Sequence, residues 1–256
     1  MTVADLAVGQ AFAVLMVFAR VGAALMFLPG FGEASVAPRV RLMIALALSI
    51  VLTPLLGARL PALPDSPALL AAYVAEEVGA GAFLGLVART AISALSTAGT
   101  IIAYQANLAN AFTNDPTTAQ QAALPASVLT TIGVVLVFVT NFHHVLLTAL
   151  VGSYDVIVPG APLPTADMAQ SFTRVVAESF GIGLALAAPL VVVGVVVSLG
   201  MGLLARLMPQ VQIFFIAAPA QTLLGFAVLA VTLPVLLVWF MGQLGPMVEA
   251  AFGGGP

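Results

Sequence analysis

Residues 205–225 read Ala-Arg-Leu-Met-Pro-Gln-Val-Gln-Ile-Phe-Phe-Ile-Ala-Ala-Pro-Ala-Gln-Thr-Leu-Leu-Gly. The surrounding tract is apolar, yet this stretch holds Arg206, Gln210, Gln212, Gln221, Pro209 and Pro219. Each proline removes a backbone donor and disturbs the helical ladder, freeing carbonyls that lipid cannot satisfy. The stretch is therefore expected to be a broken backbone that other helices or subunits pack around.

The rest of the chain sets that stretch in a membrane. Of 256 residues, 62% are hydrophobic and 7% charged, against about 25% charged in soluble domains. Mean hydropathy is +1.18. Seven arginines, no lysine and ten acids leave a net charge of -3 and no basic patch for nucleic acid. Cysteine is absent, which excludes disulfides and thiolate chemistry. The first 28 residues do not resemble a cleaved signal, because Asp5 replaces a basic n-region and Arg20 interrupts the apolar run.

Six hydrophobic segments are expected, roughly 6–28, 42–58, 68–111, 125–151, 172–205 and 211–248. The fold class is all-α and membrane-associated, with broken helices. In the first segment Arg20 either snorkels or finds a partner, since an intramembrane arginine costs at least about 2.5 kcal/mol on insertion scales. Pro54 shortens the second segment, which is expected to span poorly. Arg39 and Arg41 weakly favour a cytoplasmic loop before it.

In the third segment Glu77, Gly81, Gly85 and Arg89 follow at i+4 along one helical stripe. Two glycines between charges let another backbone approach, as in small-xxx-small packing. Gly194, Ser198, Gly202 and Arg206 repeat that design. Both are expected to be close-packing seams for neighbouring subunits.

Gln105, Asn107, Asn110 and Asn114 lie in a charge-free stretch closed by Asp115-Pro116. A helix would put Asn107, Asn110 and Asn114, at i, i+3 and i+7, on one face. A simple interhelical loop is the alternative. Residues 125–151 read as the most lipid-like helix, and His143 and His144 point about 100° apart on it, unsuited to a shared metal. Neither His-Glu-x-x-His nor Gly-x-Ser-x-Gly occurs, so no enzyme class is supported and no cofactor is implied. A small-solute channel and a gate component fit these features equally well.

Arg206-Leu207-Met208-Pro209-Gln210, followed by Phe214, Pro219 and Gly225, resembles the R-x-x-P-Q … F … P … G signature of the FliR/SctT export-gate family. Arg20-Val21-Gly22 with Pro29, Pro38-Arg39-Val40-Arg41, the Gly81/Gly85 pair and Asn141-Phe142-His143 resemble further family patterns. The resemblance implies a single domain over 1–256, like a FliP-like part joined to a FliQ-like part in a helical ring. It implies FliP-like and FliQ-like partners, docking to FlhB and FlhA, and a pore that exports unfolded flagellar proteins across the inner membrane. It makes Gln105, Asn107, Asn110, Phe112, Asn114, Asp115 and Pro116 candidates for a pore plug. It favours the flagellum over an injectisome, and the gate over the solute channel.

Overall fold

A computed structural model of the chain describes residues 3–108, 112–115, 121–208 and 213–251. Seven α-helices are described: α1 (Val3–Phe27), α2 (Pro38–Leu56), α3 (Pro67–Gln105), α4 (Leu124–Val139), α5 (Phe142–Val156), α6 (Thr165–Leu207) and α7 (Ile213–Ala251). Two three-residue strands, β1 (Phe112–Asn114) and β2 (Gln121–Ala123), pair antiparallel with Thr113 opposite Ala122. The class is all-α, with this ribbon as an insertion. Five helices are long and apolar enough to cross a membrane, or six spans if the bent pair α4 and α5 counts as one.

Three expectations about helix breaks are corrected. The second segment is not short: α2 starts earlier, with Pro38 in its first turn, where a missing N–H is harmless. It passes through Pro54, giving 22 residues with the following 3₁₀ turn. At 1.5 Å per residue that reaches about 30 Å, a full hydrocarbon core. Residues 125–151 are not one helix, because the chain turns by 75° between α4 and α5. Asn141 there takes a left-handed conformation (φ 59°), which asparagine tolerates better than most residues. Third, α7 runs unbroken through Pro219.

Contacts divide the chain into two compact units. One comprises Met1–Ala91, Val137–Val176 and Gly245–Pro256, the other Ile92–Leu136 and Ala177–Leu244. The first is built around Arg20, which is 0% exposed. Its Nε donates to Glu77 Oε2 at 2.7 Å and its Nη2 to Glu77 Oε1 at 2.9 Å, a two-pronged pair between α1 and α3. Nη2 also donates to the Ile157 carbonyl (2.8 Å) and Nη1 to Ser153 Oγ (3.3 Å), at the end of α5. The guanidinium lies over the Tyr154 ring, 4.0 Å from its centre. Arg20 therefore does not snorkel, and Glu77 is its buried partner.

Glycines allow that approach. A Cβ on Gly81 would strike the Arg20 carbonyl oxygen, and one on Gly85 would sit 2.6 Å from the Ala24 carbonyl oxygen and 2.8 Å from Phe27 Cβ. The stripe Glu77, Gly81, Gly85 thus faces α1 of the same chain, a correction to its reading as a seam for another subunit. Arg89, one turn on, is half-buried. In the α6 stripe Gly194 meets Gln105, but Ser198 is exposed and Gly202 faces open space. Among the described residues those four do not form one seam.

Two outcomes are expected in thermal unfolding of the detergent-solubilised protein. Gly81→Ala should destabilise by about 1–3 kcal/mol through overpacking, whereas Gly202→Ala should stabilise by up to about 1 kcal/mol through helix propensity. Glu77→Leu should cost about 3–5 kcal/mol, because it leaves a buried guanidinium unpaired. The double change Arg20→Met/Glu77→Leu should recover most of that loss, and a double variant no more stable than the single would remove the ion pair from this account.

Candidate functional site

The end of α3 is where the polar residues singled out in the sequence converge. The intrinsic preference of Ala106-Asn-Leu-Ala-Asn-Ala is to continue a helix, since it holds neither glycine nor proline. The helix nevertheless stops at Gln105. Asn107 is left-handed (φ 55°), its N–H reaches the Tyr104 carbonyl at 3.4 Å, and the Leu108 N–H reaches the Ala103 carbonyl at 2.8 Å. This is a Schellman ending with asparagine where glycine is usual. Leu108 packs on buried Ala103, and Ala122 of β2 and the buried Ala123 and Ala126 join the same cluster.

The two remaining carbonyls of the last turn are taken by side chains of α7. Gln221 Nε2 donates to the Gln105 carbonyl at 2.8 Å, and Thr222 Oγ1 to the Ala106 carbonyl at 2.8 Å. Asn107 Nδ2 in turn donates to Gln221 Oε1 at 2.9 Å, so both ends of that carboxamide are held. The carbonyls of residues 103–106, the last three of α3 and its capping residue, thereby all have donors. Three glycines let helices close on this region. A Cβ on Gly225 would lie 2.9 Å from Ala106 Cβ, one on Gly194 would strike the Gln105 carboxamide, and one on Gly99 would strike Ala126 at the start of α4.

The expected single helical face of Asn107, Asn110 and Asn114 is overturned. Asn107 ends the helix and Asn114 is in β1, so the first and last share no helix. Asn110 and Pro116 lie outside the described residues, as do the side chains of Phe112 and Asn114; Asp115, just after β1, is buried. Of the 205–225 stretch, Arg206 and Pro219 are exposed, while Pro209, Gln210 and the Phe214 side chain lie outside the described residues. Gly225 meets Ala106. Gln221 and Thr222 carry the contacts, though the sequence reading gave them no partner. Two adjacent polar side chains on one turn of an apolar helix, each needing a hydrogen-bond partner, were the available signal. Among the described residues no three histidine, aspartate or glutamate side chains gather where a metal could be held.

The model of the bacterial export proteins, family 1, matches residues 11–247. The chain belongs to this family. It is similar to the flagellar biosynthetic protein FliR of Caulobacter vibrioides, 36% identical over 231 residues, which covers 90% of this chain and 92% of that one. It is also similar to FliR of Bacillus subtilis, 29% identical over 88% of each chain. FliR of Escherichia coli K12 is 29% identical over 85% of this chain and 82% of its own. The match to the bacterial export proteins includes both the end of α3 and Gln221.

Asn107 separates two contributions to this helix ending. Asn107→Gly keeps the left-handed turn and loses one side-chain hydrogen bond, so stability should fall by no more than about 1 kcal/mol. Asn107→Ala should cost roughly 1–2 kcal/mol more, the penalty for an ordinary side chain in that conformation. Equal melting of the two variants would contradict the turn.

Proposed function

We propose that this chain, a membrane-protein component of the flagellar export apparatus, helps form the pore through which unfolded flagellar proteins leave the cytoplasm, and that residues 105–121 close it. The partners in this reading are FliP-like and FliQ-like subunits, with FlhB and FlhA docked against them, in the inner membrane at the flagellar basal body. The chain acts as a conduit without chemistry of its own. The observation that carries the reading is the way the end of α3 is held, by neutral hydrogen bonds from Gln221, Thr222 and Asn107.

A movable closure must seal the pore yet leave at modest cost, and neutral hydrogen bonds contribute about 0.5–1.5 kcal/mol each. A buried ion pair such as Arg20–Glu77 would be a poor hinge, because opening it would strand a charge. The apolar surface left open on the long helices supports an assembled setting. Met43 of α2, Leu199 of α6 and Val231 of α7 are 70%, 71% and 78% exposed, and such surface needs lipid or neighbouring subunits. The names of the relatives favour the flagellum over an injectisome.

Deleting Asn107–Thr117 should leave copurification with the partner subunits largely intact and make membranes conduct small ions. Conductance, or growth inhibition of cells expressing the deletion, reads this directly. A deletion that assembles and stays as tight as the parent would show that the segment is only a loop.

A further inference from the structure

The first compact unit contains a cavity of about 280 Å³, bounded by α3, the last turn of α5, the start of α6 and the end of α7. Phe83, Leu84, Val156 and Met168 make its walls largely apolar. Ser153 and Ile157 form one side, and both also hold Arg20. The Ser153 hydroxyl accepts from the guanidinium and donates to the Leu150 carbonyl, while the Ile157 carbonyl accepts from Arg20 Nη2. That side of the cavity is therefore fixed and its polar atoms are engaged. The Asp167 carboxylate and the Ser171 hydroxyl, one turn apart on α6, have no hydrogen bond or ion pair among the described residues. Asp167 is the one charged residue in the described lining.

Such a cavity selects its occupant by size and by sign. At about 30 Å³ per water-sized group it holds about nine non-hydrogen atoms, too few for a two-chain lipid. The last turn of α5 presents the negative end of its helix, which together with Asp167 favours a cation. A phosphate would be repelled by Asp167, with no basic lining side chain to offset it. The apolar walls favour a stem that gains by leaving water over a fully hydrated ion. We propose that this cavity binds a small amphipathic amine, a primary ammonium on an apolar stem of about six to eight atoms. The ammonium donates to Asp167 and Ser171, and the stem lies against Phe83 and Met168. Because the Arg20 joint already fixes the Ser153 and Ile157 side, binding orders little that was free.

The test is photoaffinity labelling of the full chain in a neutral sugar detergent, with a diazirine-bearing hexylamine and the hexanol of equal length. Labelled peptides covering residues 153–171 are mapped by mass spectrometry. The amine should label them at an about tenfold lower concentration than the alcohol, since hydrogen bonds to charged groups are the stronger ones, and excess heptylamine should compete. Asp167→Asn should bring the two probes level, whereas Asp167→Glu should keep the amine preference. Ser171→Leu fills the cavity and should abolish labelling by both probes, so it decides the matter even if Asp167→Asn fails to accumulate. Equal labelling by amine and alcohol in the parent, an amine preference that survives Asp167→Asn, or full labelling of Ser171→Leu overturns the proposal. Competition by dispersed phosphatidylethanolamine as strong as that by heptylamine overturns it in favour of a lipid headgroup. Labelling of the chain alone that disappears in the complex purified with its partner subunits overturns it in favour of a partner's basic side chain.

Discussion

Every backbone donor and acceptor in so apolar a chain has to find its partner inside the protein, and this constraint governs where the helices bend, stop and continue. Hydroxyls serve the helix interiors: Ser49, Thr53, Thr130 and Thr131 each donate to the carbonyl four residues back. At the turn between α4 and α5 the Asn141 N–H reaches the Phe138 carbonyl, the His144 N–H reaches the Asn141 carbonyl, and His143 Nδ1 lies 3.3 Å from the Val137 carbonyl. At the end of α3 the chain supplies two donors and α7 supplies two. The first two solutions are local to their segment. The third depends on a helix more than one hundred residues away, at a separation of 116, and so can be altered without unfolding the helix itself.

The two units use polarity in opposite ways. In the first, a charge-assisted pair is buried at the crossing of α1 and α3, with Ser153, the Ile157 carbonyl and the Tyr154 ring filling the remaining directions around the guanidinium. Removing either charge strands the other, so such a joint is rigid. In the second, neutral amides and a hydroxyl hold the helix end. Those bonds can be exchanged for equivalent ones at little net cost. A rigid joint thus uses Glu77 of α3 and an exchangeable one its last residue, Gln105.

Composition and hydropathy were enough to read an all-α membrane protein, and the i+4 spacing of Glu77, Gly81 and Gly85 was enough to place them on one close-approach face. What that face met was not legible. Arg20 lies 57 residues from Glu77, and periodicity within one helix says nothing about the helix opposite. The asparagine spacing was misleading for a related reason. It fits a helical period, and the local sequence would allow a helix, but the helix ends at Gln105, where Gln221 and Thr222 donate to the Gln105 and Ala106 carbonyls. The ribbon was missed because two strands of three residues carry no readable alternation. Pro54 and Pro219 were read as breaks, yet both helices continue through them. Asn141 was invisible to hydropathy, since one polar residue barely moves a window average.

Gly194 ties the history of two distant positions together. The place a Cβ would take there is held by the Gln105 carboxamide, while the neighbouring Gly200 and Gly202 face open space. Drift at 200 or 202 meets no obstacle among the described residues. A side chain acquired at 194, by contrast, has to displace the Gln105 carboxamide, the side chain of the residue whose backbone carbonyl Gln221 holds. A residue larger than glycine at 194 is therefore expected together with a shorter or re-oriented side chain at 105.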